Sequence, residues 1–273
     1  IMNTLSYNLI EKQQGQRTSQ DNGRLMKRAL EICANVKDFI HLLDTIRDWQ
    51  IEANFGIIDA QGGAAYFEVS HTSYRMYDAN DPSVAPHGYL VRSNYSLSGI
   101  KDKRAGYLRY RQADKLLEQA TQQNIITAQW LFENLSRSFA NPLTGTDLKN
   151  TSDKHSEWTI EQNFIARKTS ACAVAFQGVK KDEKPEQTIM WLVIGYPPVC
   201  PAIPLWLKGA EKKLPRLVIK DPNIGTSLLC NKCSKMHDEV YIPTFGDDKE
   251  IYFNWRKLYD ESGNGYMQQA IKM

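Results

Sequence analysis

The sequence lacks the features that would classify it quickly. Its longest apolar runs, such as Met190-Trp191-Leu192-Val193-Ile194, fall well short of the roughly 20 residues a helix needs to cross a bilayer, so no membrane-spanning helix is expected. Charge of one sign is missing too. Against 34 basic residues stand 31 acidic ones, a formal net charge of +3, and that balance creates no field to gather nucleic acid or an anionic membrane. Cysteine is scarce and odd in number: Cys33, Cys172, Cys200, Cys230 and Cys233 are scattered over 273 residues, unlike the dense even sets of a disulfide framework. The compartment therefore stays open.

Several catalytic signatures are absent as well. There is no G-x-S-x-G, no G-x-x-x-x-G-K-[ST], no G-x-G-x-x-G after a strand and no H-E-x-x-H, which removes support for serine-hydrolase, nucleotide-binding and zinc-protease chemistry. His41, His71, His87, His155 and His237 show no paired spacing. Cys230-Asn231-Lys232-Cys233 is a C-x-x-C, but only His237 lies near enough in sequence to extend it toward a zinc site. A thioredoxin-like role would want the motif at a helix start beside a βαβ unit, a context the sequence does not provide. Neither a metal nor another cofactor is expected.

What remains is an ordinary globular composition, 42% hydrophobic and 10% aromatic, with no repeat and no linker, read as a single domain over residues 1–273. Asn3 to Leu9 alternates loosely as a strand, and Glu11 to Asn22 is a polar, Gln-rich loop. Leu25, Met26, Ala29, Leu30 and Cys33 recur at helical spacing, as do Val36, Phe39, Ile40, Leu43 and Ile46 after a break near Asn35. Two short amphipathic helices follow from this. Apolar runs on either side of Ala60-Gln61-Gly62-Gly63 predict a β-hairpin, and a third strand at Tyr74 to Tyr77 leads through a Pro-bearing loop to a fourth at Tyr89. Arg104 to Thr121 reads as a helix, and Thr127 stands where an N-cap would precede Trp130, Leu131 and Leu135. Asn141 to Asn163 is polar and irregular. Strands return at Ser170 to Val179 and Thr188 to Ile194, joined by the charged loop Lys180 to Gln187, before a Pro-rich run from Pro197 to Pro204. Hairpins rather than crossovers between strands make the class α+β; two such layers give a four-layer sandwich of antiparallel sheets.

The chemistry centres on Gly88-Tyr89-Leu90-Val91-Arg92-Ser93-Asn94-Tyr95-Ser96-Leu97-Ser98-Gly99, read as a strand running into a small-residue turn with Asn94 at its open end. A side-chain amide there is a neutral donor able to face a developing oxyanion; equally, Asn is a common residue for closing a turn. Arg109 and Arg111 open the next helix, where a guanidinium can hold a carboxylate, orient a nucleophile, or simply lie on a solvated helix face. Asp59 is expected to cap the Gly-Gly turn, and Glu68 to face solvent or pair with Arg75. Tyr66, Phe67, Tyr89, Tyr95 and Trp191 are candidates both for an apolar pocket and for plain core.

Three segments carry a resemblance: Asn54-Phe55-Gly56-Ile57-Ile58-Asp59-Ala60-Gln61-Gly62-Gly63-Ala64-Ala65-Tyr66-Phe67-Glu68, Ala85-Pro86-His87-Gly88-Tyr89-Leu90-Val91-Arg92-Ser93-Asn94-Tyr95-Ser96 and Arg109-Tyr110-Arg111-Gln112-Ala113. They resemble the acyl-coenzyme A:isopenicillin N acyltransferase-like branch of the N-terminal nucleophile hydrolases, related to choloylglycine hydrolases and acid ceramidases. The likeness runs over nearly the whole chain. It implies an αββα sandwich, and an N-terminal Cys that is freed by autocatalytic cleavage and attacks a linear amide. Asn94 would match the oxyanion-hole Asn, and Arg109, with Arg111 as second choice, the Arg that follows it. The implied partner is a small-molecule amide, with no cofactor. The family's nucleophile would lie upstream of Ile1, so the chain is expected to be N-terminally truncated and inactive as it stands. A sheet edge exposed by that truncation would recruit a partner strand or a second copy.

Overall fold

The computed structural model describes residues 1–9, 21–46, 51–150, 156–179, 183–210, 214–241 and 250–273. The chain divides into two compact units, Ile1–Gln123 and Asn124–Met273. All strand pairings in the described residues are antiparallel and helices accompany both groups of strands, so the class is α+β. Most of the expected loop over 11–22 and part of the one over 180–187 lie outside the described residues.

In the first unit, strands β1 (Met2–Leu5), β2 (Ala53–Ile58), β3 (Ala64–Val69) and β4 (Tyr74–Asp78) form one sheet in that order. Ala53, Phe55 and Ile57 lie opposite Val69, Phe67 and Ala65, so their side chains share one face. Helices α1 (Asn22–Ile32) and α2 (Val36–Thr45) cover that face with Leu25, Ala29, Phe39, Leu42 and Leu43. Phe39, Phe55 and Phe67 have at most 1% of their surface exposed, and burial of each contributes roughly 1.5–3 kcal/mol. Asn35 caps α2 by accepting from Asp38 N at 3.0 Å. Asp59 does two tasks: Oδ1 accepts from Gln61 N and Gly63 N at 2.8 Å, closing the hairpin turn, and Oδ2 accepts from Val36 N at 2.9 Å, tying that turn to the start of α2.

The other face of the sheet carries Thr4, Asn54, Glu68 and Arg75 in one register row and Met2, Gly56, Tyr66 and Tyr77 in the next. A Cβ on Gly56 would stand 2.8 Å from the ring of Tyr66, so only glycine lets that ring lie across β2. A strand was expected at Tyr89, running into a small-residue turn toward Gly99. Residues 89–91 form no strand, and in the turn that follows the backbone N–H groups of Ser96, Leu97 and Ser98 are taken by the side chains of Asn8 and Glu68. Helix α3 (Tyr107–Gln122) ends the unit.

The second unit opens with α4 (Ala128–Trp130), capped by Thr127, whose Oγ1 accepts from Trp130 N at 3.0 Å; it continues as a π-turn over Leu131–Leu135. Strand β5 (Trp158–Ile160), inside the stretch expected to be irregular, pairs with β9 (Tyr252–Asn254). Strands β6 (Cys172–Gln177), β7 (Ile189–Ile194) and β8 (Ile203–Trp206) form a second sheet in that order. Pro204 sits in β8, at the sheet's edge, where a missing N–H breaks no ladder on the open side. Helices α5 (Leu207–Ala210), α6 (Leu228–Val240), α7 (Trp255–Leu258) and α8 (Tyr266–Lys272) complete the unit. Its core gathers Phe139, Phe164, Val193, Phe253 and Leu258, with Phe139 edge-on to Phe164 at 5.7 Å and to Trp255 at 5.3 Å.

Candidate functional site

Asn94 and Arg109 meet in the first unit. Arg109 Nη2 donates to Asn94 Oδ1 at 2.7 Å, which fixes the amide's orientation and directs its NH2 the other way. That NH2 donates to Thr4 Oγ1 at 3.0 Å and to the carbonyl of Leu5 at 2.9 Å, and the backbone carbonyl of Asn94 accepts from Tyr7 N at 3.0 Å. The expectation of a free amide at an open strand end is therefore corrected, because the NH2 group is held by Thr4 and Leu5 of β1 and the amide oxygen by Arg109. Arg111, two positions further around α3, is exposed and points away from this contact.

Gly106 makes the meeting possible. It holds the N-terminal end of α3 at φ +84°, and a Cβ there would stand 3.0 Å from both Asn94 N and Ser93 Oγ. Ser93 Oγ donates to Gly106 O at 2.9 Å, so the start of α3 is hydrogen-bonded to the loop that carries Asn94.

Beside Asn94 lies a buried polar layer. Glu68 is 2% exposed, and neither of the expected alternatives, solvent or Arg75, describes it: Arg75 is only its cross-strand neighbour. Its partner is Arg92, with Nε 2.7 Å from Glu68 Oε1 and side-chain exposures of 1% and 0%. Oε1 also accepts from Leu97 N, and Oε2 from Ser98 N, each at 2.8 Å, with the Ser98 hydroxyl as a further donor to Oε2. The Arg92 guanidinium lies 4.3 Å from the centre of the Tyr77 ring and 5.4 Å from that of Tyr66. Burial pushes both phenols above their ordinary range, so they remain neutral faces toward the cation. A second group joins Ser6, Asn8, Asn54 and Ser96: Ser96 Oγ donates to Asn54 Oδ1 at 2.6 Å and meets Ser6 Oγ at 2.7 Å. Asn8 closes both ways on Ser96, donating to its carbonyl and accepting from its N–H at 2.8 Å.

No protein-family model, curated protein or solved structure matches this chain. The site thus rests on its own geometry. Of the aromatic candidates, Phe67 faces the helices while Tyr66 lies on the opposite sheet face over Gly56, Tyr89 donates to Asp114 Oδ1 at 3.1 Å, Tyr95 packs on Tyr107, and Trp191 belongs to the second unit. Cys230 and Cys233 lie on α6, and among the described residues no three His, Cys, Asp or Glu side chains gather as a metal site.

Residue patterning alone passes over Arg92, Asn54, Asn8 and Ser96 as site residues and assigns Glu68 to solvent or to Arg75. The signal for two of them is present in the strands: Asn54 heads Phe55-Gly56-Ile57-Ile58, and Glu68 interrupts Tyr66-Phe67 and Val69, polar residues set in strands too apolar to have a solvated face. Chemically the assembly is a rigid amide donor whose carbonyl end is held by a cation. That polarises the N–H bonds and prevents the amide from flipping.

Proposed function

We propose that this chain forms most of an amidohydrolase of the N-terminal nucleophile type, acting on linear amides within a four-layer αββα sandwich. The supporting observation is the Arg109–Asn94 hydrogen bond at 2.7 Å, which gives Asn94 the fixed orientation an oxyanion donor needs. In this reading a cysteine outside the 273 residues supplies the thiolate. The thiolate sulfur bonds to the amide carbonyl carbon, the carbonyl electron pair moves to oxygen, and an Asn94 N–H exchanges its contact with Thr4 Oγ1 for that oxyanion. The cysteine's own α-amine carries the thiol proton to the departing nitrogen, and water then releases the acyl group. An amine in place of water would make the protein an acyltransferase.

A second reading is a non-catalytic relative that binds acyl-amides. It is favoured by the occupation of the Asn94 amide N–H bonds by Thr4 and Leu5. Mass spectrometry separates the two. Protein expressed from its complete gene, treated with a thiol-acylating amide probe, is expected to carry the label on a new N-terminal cysteine, and an Asn94→Ala variant to label at least tenfold more slowly, the usual scale for one lost oxyanion donor being about 100-fold. A mature protein without such a cysteine, or labelling indifferent to Asn94, leaves the binding scaffold.

A further inference from the structure

The second unit holds a cavity of about 320 Å³ between the π-turn at Leu131–Leu135, β7 and α8. Its walls include Phe132, Trp191, Ala202 and Ile271, and Arg137 lines it from below the turn. The size suits a small organic molecule, being about the liquid volume of ten waters.

Arg137 makes the cavity chemically specific. It is only 4% exposed, and two of its nitrogens brace the backbone: Nε donates to the carbonyl of Pro197 and Nη2 to that of Cys200, both at 2.9 Å. Among the described residues Nη1 has no acceptor and no carboxylate forms an ion pair with the guanidinium. Glu133 lines the same cavity and acts on the guanidinium through space without a hydrogen bond to it, its Oε1 accepting from Gln129 Nε2 at 2.6 Å. The nearby Lys272 is turned to the carbonyl of Gly263 at 2.8 Å. A guanidinium keeps its charge, and Nη1, its one nitrogen without a protein acceptor among the described residues, is open to the cavity rather than sealed in the core. The π-turn adds to the case. Ser136 N reaches back to Leu131 O at 2.9 Å, and such single turns widen a helix and recur at functional sites.

We propose that this cavity binds a medium-chain aliphatic carboxylate, its head group on Arg137 Nη1 and its chain along Trp191, Phe132, Ala202 and Ile271. The carboxylate supplies a direct hydrogen-bonding counter-charge to Nη1, and the alkyl chain lies on the apolar part of a lining that also includes Gln129, Glu133 and Lys272. The site lies wholly in the second unit and stands whether or not the amidohydrolase reading holds.

The test is a calorimetric titration of the full chain with octanoate, with octanol as the uncharged control. Saturable one-to-one binding of octanoate is expected, with octanol weaker by roughly tenfold or more, the scale of one charged hydrogen bond. Arg137→Gln is expected to remove that preference for the acid. Because Arg137 also braces two carbonyls, Ala202→Phe serves as the independent variant: it fills the cavity from a half-buried wall residue that makes no hydrogen bond to the guanidinium, and should abolish binding. Absence of saturation, equal binding of acid and alcohol, or octanoate binding unchanged by Ala202→Phe would each overturn the proposal.

Discussion

Replacing Glu68 by Gln tests whether the buried ion pair organises the first unit. The substitution preserves shape and one carbonyl acceptor but leaves the Arg92 guanidinium, 1% exposed, without its counter-ion. It also leaves the N–H groups of Leu97 and Ser98 and the Ser98 hydroxyl to compete for a single oxygen. Removing one partner of a buried pair costs about 3–5 kcal/mol, because the remaining charge stays desolvated. The double variant Glu68→Gln/Arg92→Met removes that orphaned charge, so its cost should fall to about 2 kcal/mol, the coupling appearing as strong non-additivity. Urea unfolding followed by circular dichroism gives the free energies, and hydrogen exchange at Leu97 and Ser98 reports whether the loop is released. A Glu68→Gln cost below about 1 kcal/mol, or a double variant no better than the single one, would refute the account.

Two further outcomes follow from the same unit. Burial alone would raise the pKa of Asp59, but the N–H groups of Val36, Gly63 and Gln61 outweigh it and hold the carboxyl below its ordinary value. A carboxylate with a depressed folded pKa contributes stability that is full above the unfolded value, roughly pH 4, and is lost as pH falls through the folded one. The stability difference between wild type and Asp59→Asn should thus be about 1–2 kcal/mol at pH 7, shrinking as pH falls below about 4 in acid titrations of urea midpoints. Gly106→Ala should cost about 1–3 kcal/mol through its left-handed backbone and its approach to Asn94, and should loosen the Arg109–Asn94 contact, seen as broadened side-chain amide resonances of Asn94 in NMR.

The helices and the hairpin were legible because their patterns have one cause. Leu25, Ala29, Phe39 and Leu43 repeat at helical spacing and Phe55 and Phe67 alternate, since each faces a single apolar layer. The strand expected at Tyr89 failed for the converse reason. Its aromatic and branched residues suit a pleat, but Tyr89 is held by Asp114 of α3 and the turn that follows is held by Glu68 and Asn8, all of them distant in sequence. Glu68 itself was misread because alternation assigns a charged residue to water, and nothing local announces that Arg92 will cover it. Asn94 and Arg109 were singled out from type, position and resemblance; that the amide would be held by Thr4 and Leu5 depended on β1, whose role beside that loop no short window of sequence contains.

The long reach of these contacts bears on how the molecule assembles. Asn94 meets Thr4 across 90 residues and Asn8 meets Ser96 across 88, so each contact waits until two distant segments of the first unit are brought together. Contacts of such high sequence separation are slow to close, which places the ordering of Asn94 late in folding, after the α1–α2 and β2–β3 core. A protein interrupted before that step would have its hydrophobic core and its hairpin but not its polar site. Any activity that depends on Asn94 would then switch on only when the first unit is complete.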